Sequence, residues 1–202
     1  MFSFNPTEIT IVYGTNNLND NSGLKAVGYK KYIHPKYNFD DSAYDIGILQ
    51  LKEAIRFFSV VNNKHKQYVV NGICLEDKDD VPNSAMIAGW GRIGNYKAVS
   101  SQLLKVRLPK YGLEKCKANY MKRNPETKSY IFDVLICYGG QGGKDTCSGD
   151  SGGPLITYKN GRAYLIGTVS FGVECAQKGF PGTYIQISKF KDWIKRIAEK
   201  VI

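Results

Sequence analysis

The ten residues Asp145-Thr146-Cys147-Ser148-Gly149-Asp150-Ser151-Gly152-Gly153-Pro154 hold the densest chemistry in the chain. A serine hydroxyl is a weak nucleophile until a general base takes its proton and donors stabilise the charge that develops on the attacked group. Ser151 stands among Gly149, Gly152 and Gly153. Glycine admits the backbone conformations in which successive amide N–H groups converge beside a side chain. The amides of Gly149 and Ser151 are the natural donors, and a donor of this kind is worth about 2.7–4 kcal/mol in a transition state. A bare Gly-x-Ser-x-Gly also fits a glycine-rich surface turn, so the surrounding sequence must decide.

Holding such a loop needs a frame, and the sequence reads as short strands joined by turns. Ile9–Tyr13, Asp45–Leu51, Ser84–Gly89, Leu103–Leu108 and Thr183–Ile187 are strand-like. Pro154–Tyr158 and Arg162–Ser170 form a hairpin through Lys159-Asn160-Gly161, because Asn-Gly supplies the positive φ angles of a tight turn. A single terminal helix is expected from about Ser188, the N-cap. Its apolar face is Phe190, Trp193, Ile194, Ile197, Ala198 and Val201, and its solvated face is Lys191, Lys195, Arg196 and Lys200. The polar stretch Asn71–Asn83 is the expected crossing between two strand-rich halves. Twenty-one glycines and 14 tyrosines in 202 residues, with 43% hydrophobic content, point to an all-β globular chain. No run reaches the roughly 18–20 apolar residues of a membrane span, and Met1–Phe4 leads into no signal-peptide core.

The net charge of +10 comes from dispersed lysines, with no nucleic-acid-binding signature. A solvated basic surface is the simpler reading; a sulfated glycan or an anionic membrane is the alternative. The five cysteines (Cys74, Cys116, Cys137, Cys147, Cys175) lack both C-x-x-C and zinc spacing. No metal or cofactor is expected. The cysteines read as a disulfide framework made in an oxidising compartment, with one left unpaired.

The ten-residue string resembles the active-serine signature of the chymotrypsin/trypsin family of serine proteases, whose catalytic triad is a general worked case of this chemistry. The resemblance covers nearly the whole chain. Tyr44-Asp45-Ile46-Gly47-Ile48-Leu49-Gln50-Leu51 looks like the family's aspartate strand, and Gly89-Trp90-Gly91 with Leu103…Pro109 looks like the start of its second barrel. Ser170-Phe171-Gly172 resembles the substrate-lining strand, with Phe171 where Trp is usual. Cys175 through Pro181-Gly182-Thr183-Tyr184 resembles the far wall of the pocket.

That resemblance implies two antiparallel six-stranded β-barrels of the trypsin type, the first incomplete, with a C-terminal α-helix. Residues 1–75 would be the remnant of the first barrel, 76–187 the second barrel and 188–202 the helix. It implies Ser151 as nucleophile, Asp45 as the residue that orients the base, and Gly149 and Ser151 as the oxyanion donors. It also implies that Ser170, Gly172 and Gly182 contact substrate, and that Asp145 selects Arg or Lys at the cleavage site. Asp150 would receive the ammonium of an activated N-terminus; without that ammonium it would turn to solvent or another donor and the pocket loops would loosen. The implied disulfides are Cys116–Cys137 and Cys147–Cys175, and Cys74 would tether an upstream segment. The family is secreted and acts on protein or peptide substrates.

One part is not found. The catalytic histidine should precede the aspartate strand in an Ala-Ala-His-Cys-like motif, but the chain has His34 and His65 alone. His34, in His-Pro-Lys-Tyr, resembles a non-catalytic surface turn; His65 lies in a charged loop after Asp45. Phe4 to Gly14 resembles the segment that directly follows the histidine motif, so the chain is expected to be an N-terminally truncated protease, inactive as it stands. A catalytically dead homologue serving as a binding or regulatory module is the alternative.

Overall fold

The computed structural model describes residues 8–62 and 66–200. Strands β1 (Ile9–Tyr13), β2 (Leu24–Ile33) and β3 (Gly47–Leu51) form an antiparallel sheet in the order β1-β2-β3. β4 (Phe58–Asn62) and β5 (Lys66–Val70) form a separate two-stranded ladder. The short β6 (Cys74–Leu75) then crosses to the second half, where it pairs parallel with β11 (Arg162–Val169).

The second half is a closed barrel. β7 (Ser84–Gly89), β8 (Leu104–Tyr111), β9 (Leu135–Tyr138), β10 (Pro154–Lys159), β11 and β12 (Gly182–Gln186) are antiparallel in the order β10-β7-β8-β9-β12-β11, and β11 pairs back onto β10. Closure removes the exposed edges that an open sheet would carry. The β10–β11 hairpin turns through Asn160 (φ 50) and Gly161 (φ 75), the two positive φ values that a two-residue turn matching strand twist demands.

β9 shows how the barrel is filled. All four of its residues are buried, and because side chains alternate between faces they serve two cores. Ile136 and Tyr138 point into the barrel with Ala85, Ile87, Leu108, Leu155, Ile166 and Tyr184. Leu135 and Cys137 join an outer cluster with Cys116, Tyr120, Ile131, Phe132, Ile185, Phe190 and Ala43. Ala43 belongs to the N-terminal half, and Tyr44 and Ile46 pack on the same cluster. The segment carrying Asp45 is therefore anchored to the outside of the barrel.

Four expectations about elements are corrected. Asp45 lies before its strand, not in it: Tyr44 has φ 54 and the Ile46 amide donates to the Tyr44 carbonyl at 2.7 Å, so the chain turns there and β3 begins at Gly47. Helix α2 runs Lys191–Ala198 after a 3₁₀ turn at Ile187–Phe190. Ser188 is not its cap, because the Ser188 hydroxyl donates to Asp79 Oδ1 at 2.7 Å instead. Of the apolar face expected for α2, Ala198 is exposed and Val201 lies outside the described residues. The terminal helix is also not alone, since α1 spans Leu113–Arg123. Cys116 and Tyr120, four residues apart, are its only buried positions, too narrow a stripe to read as an amphipathic pattern.

Candidate active site

Ser151 sits on the loop between β9 and β10. Successive bonds fold that loop tightly: Asp150 N–H to the Cys147 carbonyl at 2.9 Å, Gly153 N–H to the Asp150 carbonyl at 2.8 Å, and Gly152 N–H to the Val169 carbonyl at 2.8 Å. Gly149 has φ +98, and a Cβ there would stand 3.1 Å from Gly91 Cα. This position needs glycine on both counts. The amides of Gly149 and Ser151 donate to no protein acceptor among the described residues, while those of Asp150, Gly152 and Gly153 are all engaged. Two free N–H groups thus flank the serine.

Ser170, at the end of β11, donates its hydroxyl to Asp45 Oδ2 at 2.8 Å. This contact spans 125 residues of sequence and joins the N-terminal half to the barrel. Ser151, Ser170, Gly172, Gly182 and Asp145 line one cleft of about 200 Å³. Its two sides are stapled by the Cys147–Cys175 disulfide, and Cys116–Cys137 ties α1 to β9. Both pairings match the expectation, and Cys74 is a free thiol.

Asp145 forms the cleft's charged end. Its Oδ2 accepts the Ala176 amide at 3.1 Å and its Oδ1 the Thr146 amide at 2.8 Å. No cation pairs with it among the described residues. Burial pushes the carboxyl up to about 6, against the opposing pull of the Ala176, Thr146 and Gly182 amides and the Thr146 hydroxyl. A Cβ on Gly182 would meet the Thr146 and Tyr184 hydroxyls at 2.9 Å and Asp145 Oδ1 at 3.0 Å, so a side chain there would fill the cleft's end. At Gly172 the nearest atom would be the Tyr120 hydroxyl, 4.0 Å away, so the wall is open on that side.

Asp150 turns away from the cleft. Its Oδ1 accepts the Gly91 amide at 2.8 Å and its Oδ2 the Cys147 amide at 2.9 Å. A Cβ at Gly89 or Gly91 would collide with this carboxylate at 2.0 and 2.4 Å. Both glycines are therefore required by its position. A second cavity of about 330 Å³ opens beside it, bordered by Gly89, Gly91, Lys144, Asp145 and Ala176.

His34 stands elsewhere. Its ring lies flat on Tyr44 at 5.2 Å and edge-on to Phe190 and Trp193 at 5.2 and 5.1 Å. His65 falls outside the described residues.

Sequence reasoning missed the supports of the cleft. From α1, Tyr120 donates its hydroxyl to the Pro181 carbonyl at 2.7 Å and Asn119 Nδ2 donates to the Gly179 carbonyl at 2.6 Å. Asn95 accepts the Cys175 amide at 2.9 Å from across the rim. Phe171 packs edge-on against Tyr120 at 5.7 Å. A tyrosine four residues from a cysteine in a lysine-rich run was the one available signal for α1.

A closed antiparallel barrel flanked by a C-terminal helix, with a glycine-rich serine loop between β9 and β10, is the arrangement of the trypsin-like serine protease family. Comparison with known proteins agrees: the family model described as Trypsin matches residues 3–194, and the chain belongs to that family. It is 39% identical over 172 residues to U21-ctenitoxin-Pn1a of Phoneutria nigriventer, covering 83% of this chain and 67% of that protein. Trypsin-1 of Astacus astacus is 34% identical over 195 residues, covering 95% of this chain and 76% of the relative. Serine proteinase stubble of Drosophila melanogaster is 35% identical over 169 residues, 82% of this chain and 20% of the relative. The chain thus spans between a fifth and about three quarters of the length of these relatives.

Proposed function

We propose that the protein is a serine endopeptidase that hydrolyses peptide bonds after Arg or Lys through an acyl-enzyme on Ser151. The observation that carries this reading is Asp145, a carboxylate held at the end of the serine cleft by neutral donors alone. A substrate guanidinium or ammonium would supply the missing cation. An apolar side chain would leave the charge buried and unpaired, at a cost of about 3–5 kcal/mol.

The chemistry follows from the loop. Ser151 Oγ attacks the carbonyl carbon of the scissile bond, and the oxygen that gains the negative charge is received by the Gly149 and Ser151 amides. The C–N bond breaks, the amine leaves with a proton, and water then hydrolyses the ester. Asp45, fixed by Ser170, orients the base and stabilises its protonated form. Asp150, whose carboxylate borders the neighbouring cavity, is the activation partner. The two disulfides support an extracellular setting, and Cys74 is free to link a further segment.

The general base is not among the described residues. His34 is committed to an aromatic cluster with Tyr44, Phe190 and Trp193. With His65 read as part of a charged loop after Asp45, the 202 residues alone turn over no amide bond on this reading, since losing one triad member costs up to about a millionfold in kcat. The same observation favours a second reading, a catalytically dead homologue that binds Arg- or Lys-bearing proteins. Cleavage profiling of the natural gene product in a peptide library separates them. Preference for Arg and Lys over Phe and Leu by at least about a hundredfold supports the proposal. No cleavage supports the second reading, and an aromatic preference would remove Asp145 from the pocket.

A further inference from the structure

Residues 92–99, in the loop between β7 and β8, lie on the surface, every one but Gly94 exposed. Bonds within the loop nevertheless set its shape. Arg92 bridges to Val99, the Ile93 amide donates to the Ala98 carbonyl at 3.2 Å, and the Lys97 amide donates to the Gly94 carbonyl at 3.1 Å. Arg92 Nη1 closes the turn on the Lys97 carbonyl at 2.6 Å. The Arg92 amide ties the base of the loop to the serine segment, donating to the Ser148 carbonyl at 2.9 Å. A loop braced in this way can present a side chain at a fixed place with no core beneath it, and the side chain it presents is Asn95.

Asn95 grips the backbone of Cys175, 80 residues away, by both polar groups: its Oδ1 accepts the Cys175 amide at 2.9 Å and its Nδ2 donates to the Cys175 carbonyl at 3.4 Å. That carbonyl shares a peptide unit with the Ala176 amide. No peptide bond among the described residues is cis, and in a planar trans unit the C=O and N–H point in opposite directions. With its carbonyl turned to Asn95, the unit aims its N–H the other way, where Asp145 Oδ2 accepts it at 3.1 Å. The Cys147–Cys175 disulfide holds Cys175 by its side chain and leaves the orientation of that peptide open. A hold on the backbone is needed here, because Ala176 has φ 59, a left-handed conformation that a residue with a Cβ seldom takes.

We propose that Asn95 is a positioning residue of the specificity cleft, which turns the Cys175–Ala176 peptide so that its amide meets the Asp145 carboxylate. Its part in specificity rests on the reading of Asp145 as the group that selects a cationic side chain. The other groups facing that carboxylate are the Thr146 amide and hydroxyl, the Gly182 amide, and the phenols of Tyr120 from α1 and Tyr184 from β12. Asp150 borders the cavity on its far side, with its own oxygens engaged by Gly91 and Cys147. None of these is a cation, so neutral donors alone offset the charge. Burial weakens the acidity of Asp145, and the Ala176 amide is the foremost of the donors that oppose it.

The test follows the Asp145 carboxyl across pH by carbon-13 NMR in the full chain, comparing wild type, Asn95→Ala and Tyr96→Ala, the last a fully exposed neighbour on the same loop. Loss of the amide should move the midpoint up by about one pH unit in Asn95→Ala and leave it in place in Tyr96→Ala. Glycine takes positive φ without a Cβ to crowd, so in an Ala176→Gly background the same Asn95→Ala change should move the midpoint about half as far or less. Benzamidine affinity, measured by calorimetry, should fall about fivefold more at pH 6 than at pH 8 in Asn95→Ala, whereas a merely looser wall would lower it equally at both. A midpoint that stays or falls in Asn95→Ala, an equal shift in Tyr96→Ala, an undiminished shift with Ala176→Gly, or an affinity loss independent of pH would each overturn the proposal. A wild type that binds no benzamidine, with the midpoint still raised in Asn95→Ala, would remove the cation-selecting role of Asp145 and support the hold of Asn95 on it.

Discussion

A carboxylate kept at the end of a cleft by neutral donors alone is poised between two demands, and Asp145 shows both. Its acidity is weakened to about 6, from an ordinary 3.8, chiefly by burial. A carboxyl that is a weaker acid in the folded chain opposes folding once ionised. The stability present below pH 4 is therefore lost as pH rises from about 4 to about 6, by at most about 3 kcal/mol. Asp145→Asn should raise the melting temperature at pH 8, with no gain at pH 3. It should also abolish binding of benzamidine, a small guanidinium-like cation. For the native chain, benzamidine affinity should climb about tenfold per pH unit up to about pH 6 and then level off, because only the carboxylate pairs with it. An affinity flat from pH 4 to 8, measured by calorimetry, would mean that the cation does not reach Asp145.

The supporting elements explain why the cleft exists without substrate, and also why some of it could not be read beforehand. α1 holds the far wall through the Tyr120 hydroxyl and the Asn119 amide. Tyr120→Phe leaves the Pro181 carbonyl without its buried donor, which costs about 1–3 kcal/mol. Urea unfolding should show that loss, and benzamidine affinity should fall with it; an unchanged midpoint would show that water replaces the hydroxyl. The β10–β11 hairpin, β1 and β7 were legible because their signals are local: Asn160-Gly161 demands its turn, and alternation marks the strands. The serine loop was legible because its glycines are required locally: Gly149 and Gly152 by positive φ, and Gly153 by the Asp150 carbonyl, 2.7 Å from where a Cβ would lie. α1 was not, since only Cys116 and Tyr120 face inward and Tyr120's partner, the Pro181 carbonyl, is 61 residues away. β2 was missed for a related reason: one residue of its ten is buried, so no run of apolar positions announces it. The turn at Tyr44 that moves Asp45 out of its strand follows from docking Ala43, Tyr44 and Ile46 on the outer core, and a residue's own neighbours in sequence do not show that.

Across the whole molecule, two halves meet at one chemical point. The barrel supplies Ser151, its two free amides and the Asp145 cleft; the N-terminal half supplies Asp45, locked in place through Ser170. The serine cleft ends in a carboxylate, Asp145, that has no cation paired with it among the described residues. Family membership rests on residues 3–194, whereas catalysis by Ser151 rests on the loop geometry and is open to direct chemical trial. The decisive measurement is labelling of the natural gene product, as isolated and processed by its source, with a benzamidine-bearing aryl phosphonate that reacts only with an activated serine. Intact mass and peptide mapping should find one adduct, on Ser151, blocked by excess benzamidine and absent from Ser151→Ala. A processed, folded protein that binds benzamidine but acquires no adduct would contradict the account and leave a binding module in its place.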